Sequence, residues 1–147
     1  MQKNNFFYNT FFLKSFIFIF LLSLVACETN LNEVVEETYP DGSPKIVRLY
    51  KETKGRKELV SETIYYPNHN KKIEGEFKNG ERHGKWLAWH ENGQLQSEGF
   101  FKNGMNTGIR KVYYENGNKY YEGKYKNDKP VGEWVFYHSN GSISKKT

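Results

Sequence analysis

The chain has 147 residues, 22 Lys and Arg against 17 Asp and Glu, a formal net charge of +5, one cysteine and 17% aromatic residues. A single cysteine excludes an internal disulfide framework, and basic residues interspersed with acidic ones leave no basic stripe of the kind nucleic acid requires. The length fits one domain.

At the N-terminus, Lys3 and Lys14 are the only charges before an apolar run from Phe16 to Ala26. A basic start, a short apolar stretch and small residues at its end predict a secretory signal peptide over 1–26. The run is shorter than the roughly 20 apolar residues of a spanning helix. The quartet Leu24-Val25-Ala26-Cys27 resembles the lipobox of bacterial lipoproteins. That resemblance implies cleavage before Cys27, lipidation of its thiol, and export to a bacterial cell membrane, with the outer membrane or cell surface as destinations. Loss of Lys3 and Lys14 leaves 20 basic against 17 acidic residues, a net charge of +3.

Residues 27–38 follow as an expected flexible tether. Between Glu28 and Thr38 there are four glutamates and no aromatic residue, a composition too polar to offset ordering entropy by burial. The remaining chain, 39–147, is expected to form the folded domain.

From residue 65 onward a 24-residue unit returns in register. Gly75, Gly99 and Gly123 are 24 apart, each preceded by Glu, and Gly84, Gly108 and Gly132 keep the same spacing. Asn79-Gly80, Asn103-Gly104 and Asn127-Asp128 form another ladder, and Asn68, Asn92, Asn116 and Asn140 a fourth, half a unit out of phase. Fixed-period self-similarity signals one supersecondary unit stacked on its copies. Around Trp86 the residues alternate as in a strand, and Asn-Gly pairs mark the hairpins. Both Asn92 and Gly93 are expected at positive φ in a type I′ turn, and the Asn103-Gly104 turn is expected to have a slightly longer loop. The predicted architecture is all-β: antiparallel hairpins, two strands per unit, in one elongated twisted sheet.

Aromatic residues dominate the apolar content of 65–138, and ladders of rings on neighbouring strands replace a conventional core in this reading. Trp86 and Trp134 are expected to be buried, with glycines 75, 99 and 123 leaving room for a ring from the adjacent strand to lie over the backbone. Alternation puts Trp89, Tyr113 and Tyr137 on one strand face, flanked by Lys85 and Glu133, and Trp86, Ala88, Val112, Trp134 and Phe136 on the other. The first row supplies the candidate partner contacts. Which of the two faces is open is not decided by alternation.

No catalytic constellation emerges. His90 and His138 share a repeat position with Tyr114 and read as variants of a hydrogen-bonding aromatic slot, while His69 and His83 fall in predicted turns. Metal-ligand spacings, a nucleophile elbow and a glycine-rich phosphate loop are absent from the sequence, so no metal, cofactor or enzymatic activity is expected.

The run Glu74-Gly75-Glu76-Phe77-Lys78-Asn79-Gly80 through Gly84-Lys85-Trp86 resembles the bacterial variant of the MORN repeat. Copies begin at Glu98, with Arg110 at the aromatic position, and at Glu122, with Trp134 there. The likeness is clear over 65–147 and eroded over 39–64, where Tyr39-Pro40-Asp41-Gly42 aligns with Tyr66-Pro67-Asn68-His69 at a shift of 27. Proteins of this pattern are often grouped as the antitoxin-like YwqK family, and MORN repeats elsewhere are associated with scaffolding and membrane contact. Taken with the lipobox-like quartet and the lack of a catalytic constellation, the leading expectation is a non-catalytic, envelope-anchored module that binds a protein. The alternatives are glycan or peptidoglycan binding by aromatic rows, and an antitoxin or immunity role.

Overall fold

The computed structural model describes residues 30–147. They form ten strands: β1 (Asn30–Thr38), β2 (Pro44–Thr53), β3 (Arg56–Tyr65), β4 (Lys71–Lys78), β5 (Glu81–Trp89), β6 (Leu95–Lys102), β7 (Met105–Tyr113), β8 (Lys119–Lys126), β9 (Lys129–Tyr137) and β10 (Ile143–Lys146). All ten pair antiparallel in chain order within one sheet, and β1 is not hydrogen-bonded to β10. The described residues contain no helix. This is the all-β hairpin repeat expected from the 24-residue spacing.

The two sheet margins turn differently. At one margin Asn79-Gly80, Asn103-Gly104 and Asn127-Asp128 have positive φ at both positions, the geometry of a two-residue type I′ hairpin. The Asn103-Gly104 loop is therefore no longer than its neighbours, since Lys102 pairs with Met105. At the other margin only the fourth residue of each turn, Gly42, His69, Gly93, Gly117 or Gly141, has positive φ. There the i+3 amide donates back to the i carbonyl, as from Gly93 to His90 (2.9 Å), and the strand pair closes from His90 to Gln94. This is a type I turn followed by a left-handed residue, not the type I′ turn expected at Asn92-Gly93. Asn92 is retained for another reason: its Oδ1 accepts from the Gln94 amide at 2.9 Å, a side-chain bond that asparagine makes readily in turns.

Gly84, Gly108 and Gly132 lie mid-strand with φ of 67°, 72° and 70°. In β4–β5 the register jumps from Gly75↔Trp86 to Glu76↔His83, so Gly84 and Lys85 bulge out of the ladder. Positive φ at a bulge is a glycine position. His83 consequently lies within β5, not in a turn.

Residues 30–38 are not a tether. They form β1, paired with β2 from Asn30↔Glu52 to Thr38↔Pro44. Composition misleads here because β1 is ordered by ladder hydrogen bonds and cross-strand polar contacts, with only Val34 better than exposed. The Tyr50 hydroxyl donates to Glu36 at 2.7 Å, and Lys45 pairs with Glu37 at 2.8 Å. Cys27 and residues 1–26, expected to be a signal peptide, lie outside the described residues.

Trp86, 8% exposed, is the buried large hydrophobic residue of this single layer. Register places it on one face with Ile73, Phe77, Ala88, Phe101, Val112, Tyr121, Trp134 and Phe136. Rings pack edge to face there: Phe77 to Trp86 at 5.3 Å and 77°, Tyr125 to Trp134 at 5.1 Å and 78°. Such pairs contribute about 0.5–1.5 kcal/mol each beyond area burial.

Candidate functional site

The sheet offers two faces with different chemistry. On the Trp86 face the expected glycine sockets exist in two of three units. A Cβ built on Gly75 would overlap the Trp86 indole carbons, and one on Gly123 those of Trp134. Gly99 differs, because no ring covers it. The Arg110 side chain lies there instead, its Cγ 3.5 Å from where a Cβ would be, which is ordinary contact. The two tryptophans also differ from each other. The Trp86 Nε1–H donates to the Glu76 carbonyl at 3.1 Å, whereas Trp134 is half-buried with Nε1 enclosed and without a partner.

The opposite face carries the row Trp89, Tyr113 and Tyr137, all half-buried. Its organising groups are the glutamates of the Glu-Gly pairs, which alternation aims away from the indoles. Tyr113 Oη donates to Glu98 at 3.1 Å, and Tyr137 Oη to Glu122 at 2.8 Å. Lys85 and Lys111 clamp Glu98 at 3.0 and 3.2 Å, and Lys119 reaches Glu122 at 3.1 Å while lying 4.9 Å from the Tyr137 ring centre. Burial acts to raise the Glu98 carboxyl, but hydrogen bonds from Lys85, Lys111 and Tyr113 outweigh it and hold the group below the ordinary glutamate range. Hydrogen bonds from Tyr137 and Lys119 lower Glu122 in the same way. Tyr113 is raised, first by burial and then by Glu98. Between these strands Phe100 and Ile109 stand 45% and 53% exposed on the same face.

A third set of residues links one unit to the next at the Asn margin. Asn68, Asn92 and Asn116 donate from Nδ2 to the carbonyls of Glu91, Glu115 and Ser139, at 2.8, 3.2 and 2.8 Å. Tyr66, His90 and Tyr114 do the same to Trp89, Tyr113 and Tyr137. The aromatic slot read from His90 and Tyr114 is thus a unit-to-unit hydrogen bond, and Tyr39 extends it by donating to the Tyr65 carbonyl at 2.7 Å. The sequence signal was the half-unit asparagine ladder. What spacing alone did not reveal is that each asparagine shapes its own turn and bonds the next.

Among the described residues no group of three or more His, Cys, Asp or Glu side chains is placed to hold a metal ion. The described clefts are shallow and open, and the arrangement is one for contact over an extended surface.

A family model matches three consecutive segments, residues 82–103, 106–127 and 130–147. The matched family is the MORN repeat variant. Each MORN-type segment covers one outgoing strand, an Asn-Gly turn and the returning strand, so β5–β6, β7–β8 and β9–β10 are the matched pairs. The hairpin geometry continues through β1–β4, before the first matched residue. No curated protein matches the sequence. A solved structure described as "Crystal Structure of TarM" is 18% identical with a TM-score of 0.46, over 79% of this chain and 21% of that one. The chain therefore spans about a fifth of that structure's length.

Proposed function

We propose that this chain is a non-catalytic MORN-type scaffold, exported and tethered through Cys27 to a bacterial cell membrane, that binds a protein partner across its sheet. The observation that carries this reading is the single unclosed layer of ten strands, with no second layer over either face among the described residues. Such a sheet leaves large areas of ordered side chain free for contact, repeated at a fixed rise. The Trp89, Tyr113 and Tyr137 row with exposed Phe100 and Ile109 combines aromatic anchors with charged flanks, the composition favoured at protein interfaces. Glycan stacking is less well supported on this face, because Lys71 and Lys119 lie over the Trp89 and Tyr137 rings that a sugar would cover.

Two experiments test the proposal. Cys27→Ala is expected to give an unprocessed precursor or a soluble product instead of a detergent-extractable membrane protein; unchanged fractionation would overturn the anchor. Crosslinking on intact cells should recover a partner with the native chain and lose it with the Trp89→Ala/Tyr113→Ala/Tyr137→Ala variant. An unchanged crosslinking profile from a triple variant that is still folded would remove the binding role from this face.

A further inference from the structure

The one unit that departs from the repeat pattern makes a cleft on the Trp86 face. Where the flanking units have Trp86 and Trp134, the middle unit has Arg110 over Gly99, and both residues line a recess of about 150 Å³. Its wall includes Arg82, Trp86, Ser97, Phe101, Asn106 and Arg110. Arg82 is held over Trp86 and Phe101, its guanidinium carbon 4.4 and 5.5 Å from the ring centres. A guanidinium stacked on rings is oriented but still has its hydrogen-bond donors free.

Charge at this recess is one-sided. Seven ion pairs occur among the described residues, and none involves Arg82 or Arg110. No carboxylate lines the recess. Asp128, the acidic group bonded to a lining residue, is occupied by the Asn106 backbone and side-chain amides, both at 2.7 Å. Two guanidiniums without an ion-pair partner among the described residues, beside apolar walls, suit a carboxylate.

Resting on the module reading above, we infer that this recess takes an acidic side chain, aspartate or glutamate, presented by an extended segment of the partner protein, with an aliphatic neighbour lying on Ile73 and Ala88. The volume holds one functional group and not a chain of sugars. The rings here meet edge to face, and Trp86 is 8% exposed beneath Arg82, so no flat ring is open for sugar stacking. The recess is thus a specificity pocket on the face opposite the Trp89 row.

The test uses the full chain in neutral detergent with the peptide acetyl-Leu-Glu-Leu-Glu-Leu-amide, its Gln counterpart, inorganic phosphate and phosphatidylglycerol vesicles as probes. The acidic peptide should bind roughly ten-fold or more tighter than the Gln peptide, the discrimination expected of a charge-assisted hydrogen bond, and should move the Nε resonances of Arg82 and Arg110. Arg82→Gln/Arg110→Gln should abolish the difference. Arg110→Trp, which restores the repeat pattern by replacing the Arg110 side chain over Gly99 with an indole, should do so with the fold intact. Equal binding of both peptides, or full acidic-peptide binding by folded Arg110→Trp, overturns the inference. Arg shifts with phosphate or vesicles but not with the peptide also overturn it, in favour of a phosphate or lipid occupant. If cell-surface crosslinks are lost in the Trp89 triple variant but kept in the Arg pair, this inference fails while the module reading stands; if both variants keep them, both readings fail.

Discussion

The Trp86 indole lies across the backbone of Gly75 on the neighbouring strand, and its Nε1–H reaches the next carbonyl, that of Glu76, at 3.1 Å. One glycine therefore supplies the room and one peptide unit the hydrogen bond for the best-buried side chain of the sheet. Trp134 repeats the socket at Gly123 but not the hydrogen bond.

Filling a socket should separate the three units. Gly75→Ala and Gly123→Ala are each expected to cost about 1–3 kcal/mol, as overpacking does, because the added Cβ would overlap an indole. Gly99→Ala, whose Cβ would sit in ordinary contact with Arg110, should cost less than about 1 kcal/mol. Urea unfolding followed by circular dichroism measures all three, and equal losses would contradict the socket geometry.

Truncating the indoles should likewise give unequal effects. Trp86→Ala is expected to cost about 3–5 kcal/mol, the range for large aromatic truncation in a core, and Trp134→Ala less, since Trp134 is only half-buried. Trp134→Phe removes an unpartnered donor and should be tolerated better than Trp86→Phe, which breaks the bond to Glu76. Paired thermal melts of the two Phe variants give the comparison directly.

The asparagine ladder predicts an asymmetry between two small changes. Asn116→Ala removes the bonds to Asn118 N and to the Ser139 carbonyl, a loss of roughly 0.5–1.5 kcal/mol per bond. Asn116→Asp keeps the acceptor for the turn but turns the donor into a charged oxygen facing a carbonyl. It should still be less stable than the native chain at pH 7 and recover on acidification, which stability curves at two pH values will reveal.

Stability should fall on the acid side through Glu98 and Glu122. Both carboxyls are held below the ordinary glutamate range in the fold, so the folded state binds fewer protons than the unfolded chain. Their contribution is complete above about pH 4.5 and is lost as pH falls through the lowered folded values. Glu98→Gln should flatten this limb of the curve and, because Glu98 also raises Tyr113, weaken the alkaline dependence that Tyr113 contributes. A variant with the native acid dependence would show that Lys85, Lys111 and Tyr113 do not hold the group.

Repeat architecture was legible in the sequence because it follows from local requirements repeated at fixed spacing. Strand alternation, Asn-Gly turns and glycine at Gly75, Gly84 and their equivalents each satisfy a backbone rule, and together they dictate hairpins stacked in chain order. The proposed lipid anchor at Cys27 rests on the sequence alone, since Cys27 lies outside the described residues. Tertiary structure decided what depends on neighbours. β1 could not be read from Asn30–Thr38 because its order comes from the hydrogen-bonding edge of β2 and from Tyr50 and Lys45, not from burial of its own side chains. The turn at Asn92-Gly93 is of a different type from that at Asn79-Gly80, although the dipeptide is the same. There the Asn92 side chain bonds both Gln94 and the next turn, and that second partner exists only once the units are stacked. Arg110 was visible as an exception to the pattern, but the recess it leaves beside Arg82 is a property of two units in contact, which no single repeat encodes.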